Sequence, residues 1–200
     1  MSEPTEDIMR ATFCALCERG YAEVTMRDIA EQADRSKASL HYHYESKHGL
    51  MLAFLDHLFE RFTERVGSFD PATDDPDEFL RSFVDDVLHP PDDGDDSVRE
   101  FRTAVLEIKA QAPYDEAFRE RLARFDDHIA ENVSAAVAAG IEAGVYRESV
   151  DPDAVAQFVL TLADGAQSRH VVAGDDPDAA MAAFEAHVES HLLADPEVPA

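Results

Sequence analysis

Nine residues between positions 25 and 43 are of types that hold nucleic acid, and their spacing groups them. Lys37, Ser39, His41, Tyr42 and His43 fall on one short helical stretch that starts at Ser36 and ends near Tyr44. Leu40 and Tyr44, four apart, form its apolar face. The other side chains all make hydrogen bonds, and packing gives no reason for them to be there. Pointing outward, they are suited to meeting base edges and phosphates. Thr25 and Ser36 are N-cap types, and the open N–H groups at a helix start also bind phosphate. Arg27 and Arg35 add positive charge beside them. The bland alternative is a pair of amphipathic helices in a core, which explains Leu40 and Tyr44 but not the polar set.

Two helices of about eight residues must position this set. The first runs from Thr25, where Asp28 suits the positive end of the dipole, with Met26, Ile29 and Ala33 along one face. Ala33-Asp34-Arg35 breaks the pattern, and Asp tolerates a left-handed turn better than most residues. The second begins at Ser36. This is the size of a helix-turn-helix, whose second helix enters the major groove. A preceding helix, about Asp7 to Arg19, carries the stripe Ile8, Ala11, Thr12, Ala15 and Leu16 and stops at Gly20.

The residues Ile8 to Tyr21, Thr25-Met-Arg-Asp-Ile-Ala30 and Ser36-Lys-Ala-Ser-Leu-His-Tyr-His-Tyr-Glu-Ser-Lys47 together resemble the N-terminal domain of the TetR family of transcriptional regulators. The resemblance covers about residues 8 to 55; the rest is similar only in size and helical content. It departs from the family at Asp34, where a turn Gly is usual, and at His41, where an aromatic is usual. The resemblance implies that Lys37, Ser39, Tyr42 and His43 approach bases and phosphates, and that Lys47 meets a phosphate. His41 changes the contacts made. It also implies a double-stranded, palindromic operator, a homodimer and a small-molecule ligand whose binding releases DNA.

The expected architecture is all-α: a three-helix DNA-binding domain over residues 1–48 and a helical sensing and dimerisation domain over 49–200. A long helix from Ser46 to about Val66 repeats Leu50, Met51, Phe54, Leu58 and Phe62. Further helices are expected over 77–89, 97–112, 115–144, 151–172 and 177–193, with no strands. Ten of the 12 Phe lie between Phe54 and Phe158, which fits either a filled core or, with the resemblance, a ligand cavity. Its expected lining is Phe62, Phe83, Phe101, Val105, Phe125 and Ile129; Arg102, Lys109, Gln111 and His128 are polar groups available to orient a ligand. For the dimer face, the last two helices offer Phe158, Leu162, Ala166, Met181, Phe184, Val188 and Leu192.

Charge is unevenly spread. The chain carries −26, yet residues 1–50 hold 6 basic against 9 acidic residues and residues 51–200 hold 11 against 34. Of three lysines, Lys37 and Lys47 lie in the contact segment. Such acidity with so little lysine implies adaptation to high salt, where screening within about 3 Å removes self-repulsion; in dilute buffer the fold should weaken. No apolar run is long enough to span a membrane, and no signal peptide is read, so a cytoplasmic location is expected. The acidic segment 92–96 lacks the spacing of a calcium loop. His187 and His191, four apart, are more readily interface groups than metal ligands. Cys14 and Cys17 lack the second pair of a zinc site. With no Gly-rich phosphate loop and no positioned nucleophile, neither catalysis nor a cofactor is expected. The rival readings are a regulator with a filled core controlled by a protein partner, and a helical enzyme or lipid carrier that does not bind DNA.

Overall fold

The computed structural model describes residues 3–34, 37–89 and 97–194. Nine α-helices occupy them: α1 Glu3–Glu23, α2 Met26–Gln32, α3 Lys37–His43, α4 Lys47–Val66, α5 Pro76–Leu88, α6 Ser97–Lys109, α7 Glu116–Glu142, α8 Pro152–Ala173 and α9 Asp178–His187, the last widening into a π-turn, Val188–Leu192. A lone bridge between Tyr146 and Leu193 is the β-pairing among the described residues. The acidic segment 92–96, Arg35, Ser36 and the tail 195–200 lie outside them.

The chain packs as two compact units. Residues 1–62 with 92–125 form the first, and 63–91 with 126–200 the second. This grouping differs from a cut at residue 48, because α6 and the start of α7 pack with the N-terminal helices.

In the first unit, Ile8, Leu16, Ile29, Leu40, Leu50, Met51, Phe54, Ile108 and Phe118 form one buried core. α1 lies along α6, with the Phe13 and Phe101 rings 4.6 Å apart. The helix starts earlier than apolar periodicity implies, at Glu3 rather than Asp7. Gly20 does break it, at φ 71° and ψ 171°, but a further turn follows to Glu23.

In the second unit, α5 begins at Asp75, whose carboxylate accepts from the N–H groups of Asp77 and Glu78. α8 begins the same way at Asp151, and each has Pro at its first position. Asn132 on α7 is buried and pins the loop after α4. Its Oδ1 accepts from the Phe69 N–H at 2.7 Å, and its Nδ2 donates to the His128 carbonyl at 2.8 Å. The expected last helix, 177–193, keeps its α form only to His187. Its final carbonyls are claimed by another segment: Arg147 donates from its backbone to Leu192 O at 2.9 Å and from its guanidinium to Ser190 O at 3.1 Å.

Candidate nucleic-acid interface

α2 is fixed at its start by a reciprocal cap. The Thr25 hydroxyl accepts from the Asp28 N–H at 3.3 Å, and the Asp28 carboxylate accepts from the Thr25 N–H at 2.9 Å. The hydroxyl also donates to that carboxylate at 2.6 Å. The Thr25 hydrogen bond first, then the basic Arg19 and Arg27 nearby, hold the Asp28 carboxyl below its ordinary range against a smaller opposing effect of burial. A phosphate approaching Thr25 therefore meets a carboxylate already in place. Arg27 is exposed and pairs with Glu31 at 2.8 Å.

The turn forms as its composition requires. Asp34 takes φ 49°, the only positive φ outside glycine among the described residues. α3 then presents two faces. Leu40 is wholly buried, while His41, Tyr42 and His43 are exposed, Tyr42 at 86%. The Tyr42 and His43 rings meet edge to face at 5.5 Å. Tyr44 is half-buried, which raises its phenol pKa above the usual range, and Ser39 is half-buried too. Lys37 opens the helix.

Lys47 is more committed than the sequence implies. Its ammonium donates to the Tyr21 carbonyl at 2.5 Å and lies 4.7 Å from the centre of the Tyr21 ring. Burial pulls its pKa below the usual lysine range, opposed by the nearby Glu107 carboxylate. Glu107 itself, on α6, accepts from the N–H groups of Tyr21 at 2.5 Å and Ala22 at 3.3 Å. No sequence motif announces Glu107, because its partners lie 86 and 85 residues away. One ammonium N–H faces the Tyr21 carbonyl, out of the three that an ammonium carries.

The expected ligand lining divides between the units: Phe62, Phe101, Val105 and Phe125 in the first, Phe83 and Ile129 in the second. The Phe62 and Phe125 rings pack at 5.4 Å. Within the second unit a solvent-open cleft of about 350 Å³ is lined by Val66, Thr73, Asp74, Asp75, Glu78, Phe79, Ser82 and Phe83. Only Phe83 of the expected set lines it. His128 donates its Nε2–H to the Gly67 carbonyl at 2.9 Å, so it holds a loop as part of the scaffold.

The expected dimer face needs correction. Phe184, Val188 and Leu192 are at most 1% exposed within their own chain and have no surface to lose to a partner. Apolar periodicity finds the buried stripe but does not distinguish a chain's own core from a partner's. Phe158, Leu162, Ala166 and Met181 are half-buried, and Val172, near the end of α8, is 79% exposed. His187 stacks between Phe158 at 4.4 Å and His191 at 4.8 Å; burial first, then His191, lowers its pKa. No group of three or more metal-binding side chains occurs among the described residues, and none of their helices is long and apolar enough to cross a membrane.

A capped first helix, a left-handed turn and a second helix anchored by one Leu with polar side chains outward define a helix-turn-helix DNA-binding regulator. Known proteins narrow the class. Residues 8–54 match the family described as bacterial regulatory proteins, tetR family, and residues 76–193 match the BetI-type transcriptional repressor C-terminal family. The chain belongs to the TetR family, with a BetI-type C-terminal region. A TetR transcription regulator from Haloarcula marismortui is 36% identical, with a TM-score of 0.86, over 96% of this chain and 100% of that one. The regulator BetI of Stenotrophomonas maltophilia is 33% identical over 81 residues, 40% of this chain and 41% of that protein. A regulator from Saccharomonospora viridis, solved in complex with choline, shares the fold at a TM-score of 0.78 and 21% identity, covering 98% of this chain and 100% of that one.

Proposed function

We propose that the chain is a homodimeric, cytoplasmic repressor that binds a palindromic operator and is released by a small amphipathic ligand. The observation that carries the DNA reading is the exposed run His41-Tyr42-His43 next to the fully buried Leu40. An anchored helix with three unshielded hydrogen-bonding rings is arranged for contact with something outside the chain. The DNA-contact set is Thr25, Arg27, Arg35, Ser36, Lys37, Ser39, His41, Tyr42, His43 and Lys47. Phosphate contacts among them set register, and base contacts set sequence. Two copies are needed to read half-sites about 34–36 Å apart or a multiple of that. Phe158, Leu162, Ala166, Val172 and Met181 supply the apolar surface for pairing.

The ligand reading rests on the BetI-type match and on the cleft of the second unit. The half-buried Phe79 beside Asp74, Asp75 and Glu78 offers an aromatic ring and negative charge, the combination that suits a quaternary ammonium. Choline, held by the Saccharomonospora viridis relative, is the first ligand to test. A filled-core regulator answering to a protein partner is the rival, favoured by the ring packing of Phe62 on Phe125.

The net charge of −26 supports a protein built for strong salt. Counterion release alone weakens DNA binding as salt rises. The test is therefore fluorescence anisotropy in molar KCl, using the DNA upstream of the chain's own coding region beside a scrambled duplex. Preferential binding that choline reverses is expected. Equal binding to both duplexes refutes self-regulation, and preferential binding untouched by choline refutes this ligand while leaving the operator. A thermal melt unchanged between dilute buffer and molar KCl refutes the salt adaptation.

A further inference from the structure

The two cysteines of the chain, Cys14 and Cys17, stand one helical turn apart on α1. Both are thiols with no disulfide between them, and both are half-buried, neither sealed nor fully open. Their place on the helix is set by two contacts. Phe13 meets Phe101 on α6, and a Cβ at Gly20 would stand 2.9 Å from the Glu107 carboxylate, also on α6. Phe13 and Cys17 are four residues apart in the regular part of the helix, which Gly20 ends, so they share one stripe. Cys17 therefore lies on the side of α1 that follows α6, and Cys14 borders the same side, about 60° further round the helix.

Geometry decides what such a pair can do. Residues three apart on a helix hold their Cβ atoms about 5–6 Å apart. A disulfide needs about 3.5–4.5 Å, so an intact α1 resists direct oxidation of the pair. A single soft atom inserted between the sulfurs removes that conflict, because each Cβ–Sγ arm need reach only part of the way. Thiolates are the soft ligands among protein side chains. With no third metal-binding group in a cluster among the described residues, a centre satisfied by two sulfurs fits better than a tetrahedral cation.

We propose that Cys14 and Cys17 form a vicinal dithiol site that captures a trivalent arsenical, bridging two turns of α1 beside α6. With phenylarsine oxide the step balances without an oxidant. Two As–S bonds form, the arsenic–oxygen bond breaks, and that oxygen leaves as water with the two thiol protons. Arsenic stays trivalent. The second As–S bond is intramolecular, and its effective concentration strengthens capture over a single thiol by about a hundredfold.

The test is to treat the full-length protein in molar KCl with phenylarsine oxide and follow intact mass, thiol count and circular dichroism. The expected result is one adduct per chain, loss of both thiols to a thiol-reactive dye, and unchanged helicity. A dithiol such as dimercaptopropanol strips the adduct, and an equal concentration of a monothiol does not. Cys14→Ser and Cys17→Ser should each hold the arsenical about a hundredfold more weakly. The proposal is overturned if no adduct forms, if either serine variant retains it as wild type does, or if helicity collapses on capture, since the site would then belong to an unfolded chain. Alkylation with iodoacetamide supplies the control for access; two inert thiols overturn the proposal as well.

Discussion

Gly140→Ala separates two effects of opposite sign. In the last turn of α7, Ala favours the helix over Gly by about 0.5 kcal/mol, the low end of the range for a helix. Gly140, however, has no room. An added Cβ would stand 2.5 Å from Cε2 of Tyr146 and nearer still to Cδ2. The ring cannot easily withdraw. Tyr146 is 1% exposed, its hydroxyl donates to Asp77 at 2.9 Å, and its N–H donates to the Gly140 carbonyl at 3.1 Å. Shifting helix and ring apart costs about 1–3 kcal/mol, as overpacking does. Expelling the ring costs more, about 3–5 kcal/mol, so the smaller adjustment is taken. Allowing for the helix gain, the variant should lose roughly 0.5–2.5 kcal/mol, a fall in Tm of roughly 1–10 °C for a chain of this size. The deciding measurement is a double-mutant cycle in thermal or urea melts in molar KCl. In a Tyr146→Ala background the same Gly140→Ala change should stabilise by about 0.5 kcal/mol. A variant that melts at or above wild type with Tyr146 present would refute the reasoning, as would a sign that does not reverse.

Three further outcomes are expected. Asp34→Gly relieves the strain of φ 49° and should raise stability by about 0.5 kcal/mol, the left-handed cost of about 1 kcal/mol less the added freedom of the unfolded chain; an equal or lower Tm counts against it. Burial first, then the Asp77 hydrogen bond, raises the Tyr146 pKa in the folded state. The folded protein then holds a proton that the unfolded chain releases above about pH 10, so stability is full below that pH and falls as pH rises; Tyr146→Phe should flatten the slope, and an unchanged slope argues against this origin. Tyr42→Ala touches a side chain that is 86% exposed, so its melt should match wild type while operator affinity falls by about 1–3 kcal/mol; equal affinity removes Tyr42 from the interface.

The elements that were legible in sequence are those whose causes are local. Thr25 with Asp28 and Asp151 with Pro152 each mark a helix start within three residues, and both caps form; the cap at Asp75 before Pro76 goes unread, the helix being expected only from 77. Asp34 marks the left-handed turn, and Leu40 with Tyr44 marks the inner face of α3. Distant causes left no such trace. Asn132 reaches back 63 residues to Phe69, and Tyr146 reaches 69 to Asp77. Neither pairing follows from periodicity, which reports that a face is buried without naming what buries it. The same gap made Phe184, Val188 and Leu192 look like a dimer face.

Lys47 shows why the functional reading and the packing reading of one side chain need not compete. A lysine at the start of α4 reads in sequence as a phosphate contact, yet its ammonium is tied to the Tyr21 carbonyl. That carbonyl belongs to the turn after Gly20, whose N–H groups at Tyr21 and Ala22 are held by Glu107 of α6. Three segments of the first unit thus meet through two successive peptide units and two opposite charges. An ammonium has three N–H donors, and the Tyr21 carbonyl uses one. Held over the Tyr21 ring at 4.7 Å, the charge keeps a fixed position rather than sampling the many rotamers of a free lysine, whose ordering costs up to about 2 kcal/mol. A phosphate that meets it finds that ordering already done. In a chain with three lysines and a charge of −26, a cation fixed in place is worth more to polyanion binding than a mobile one.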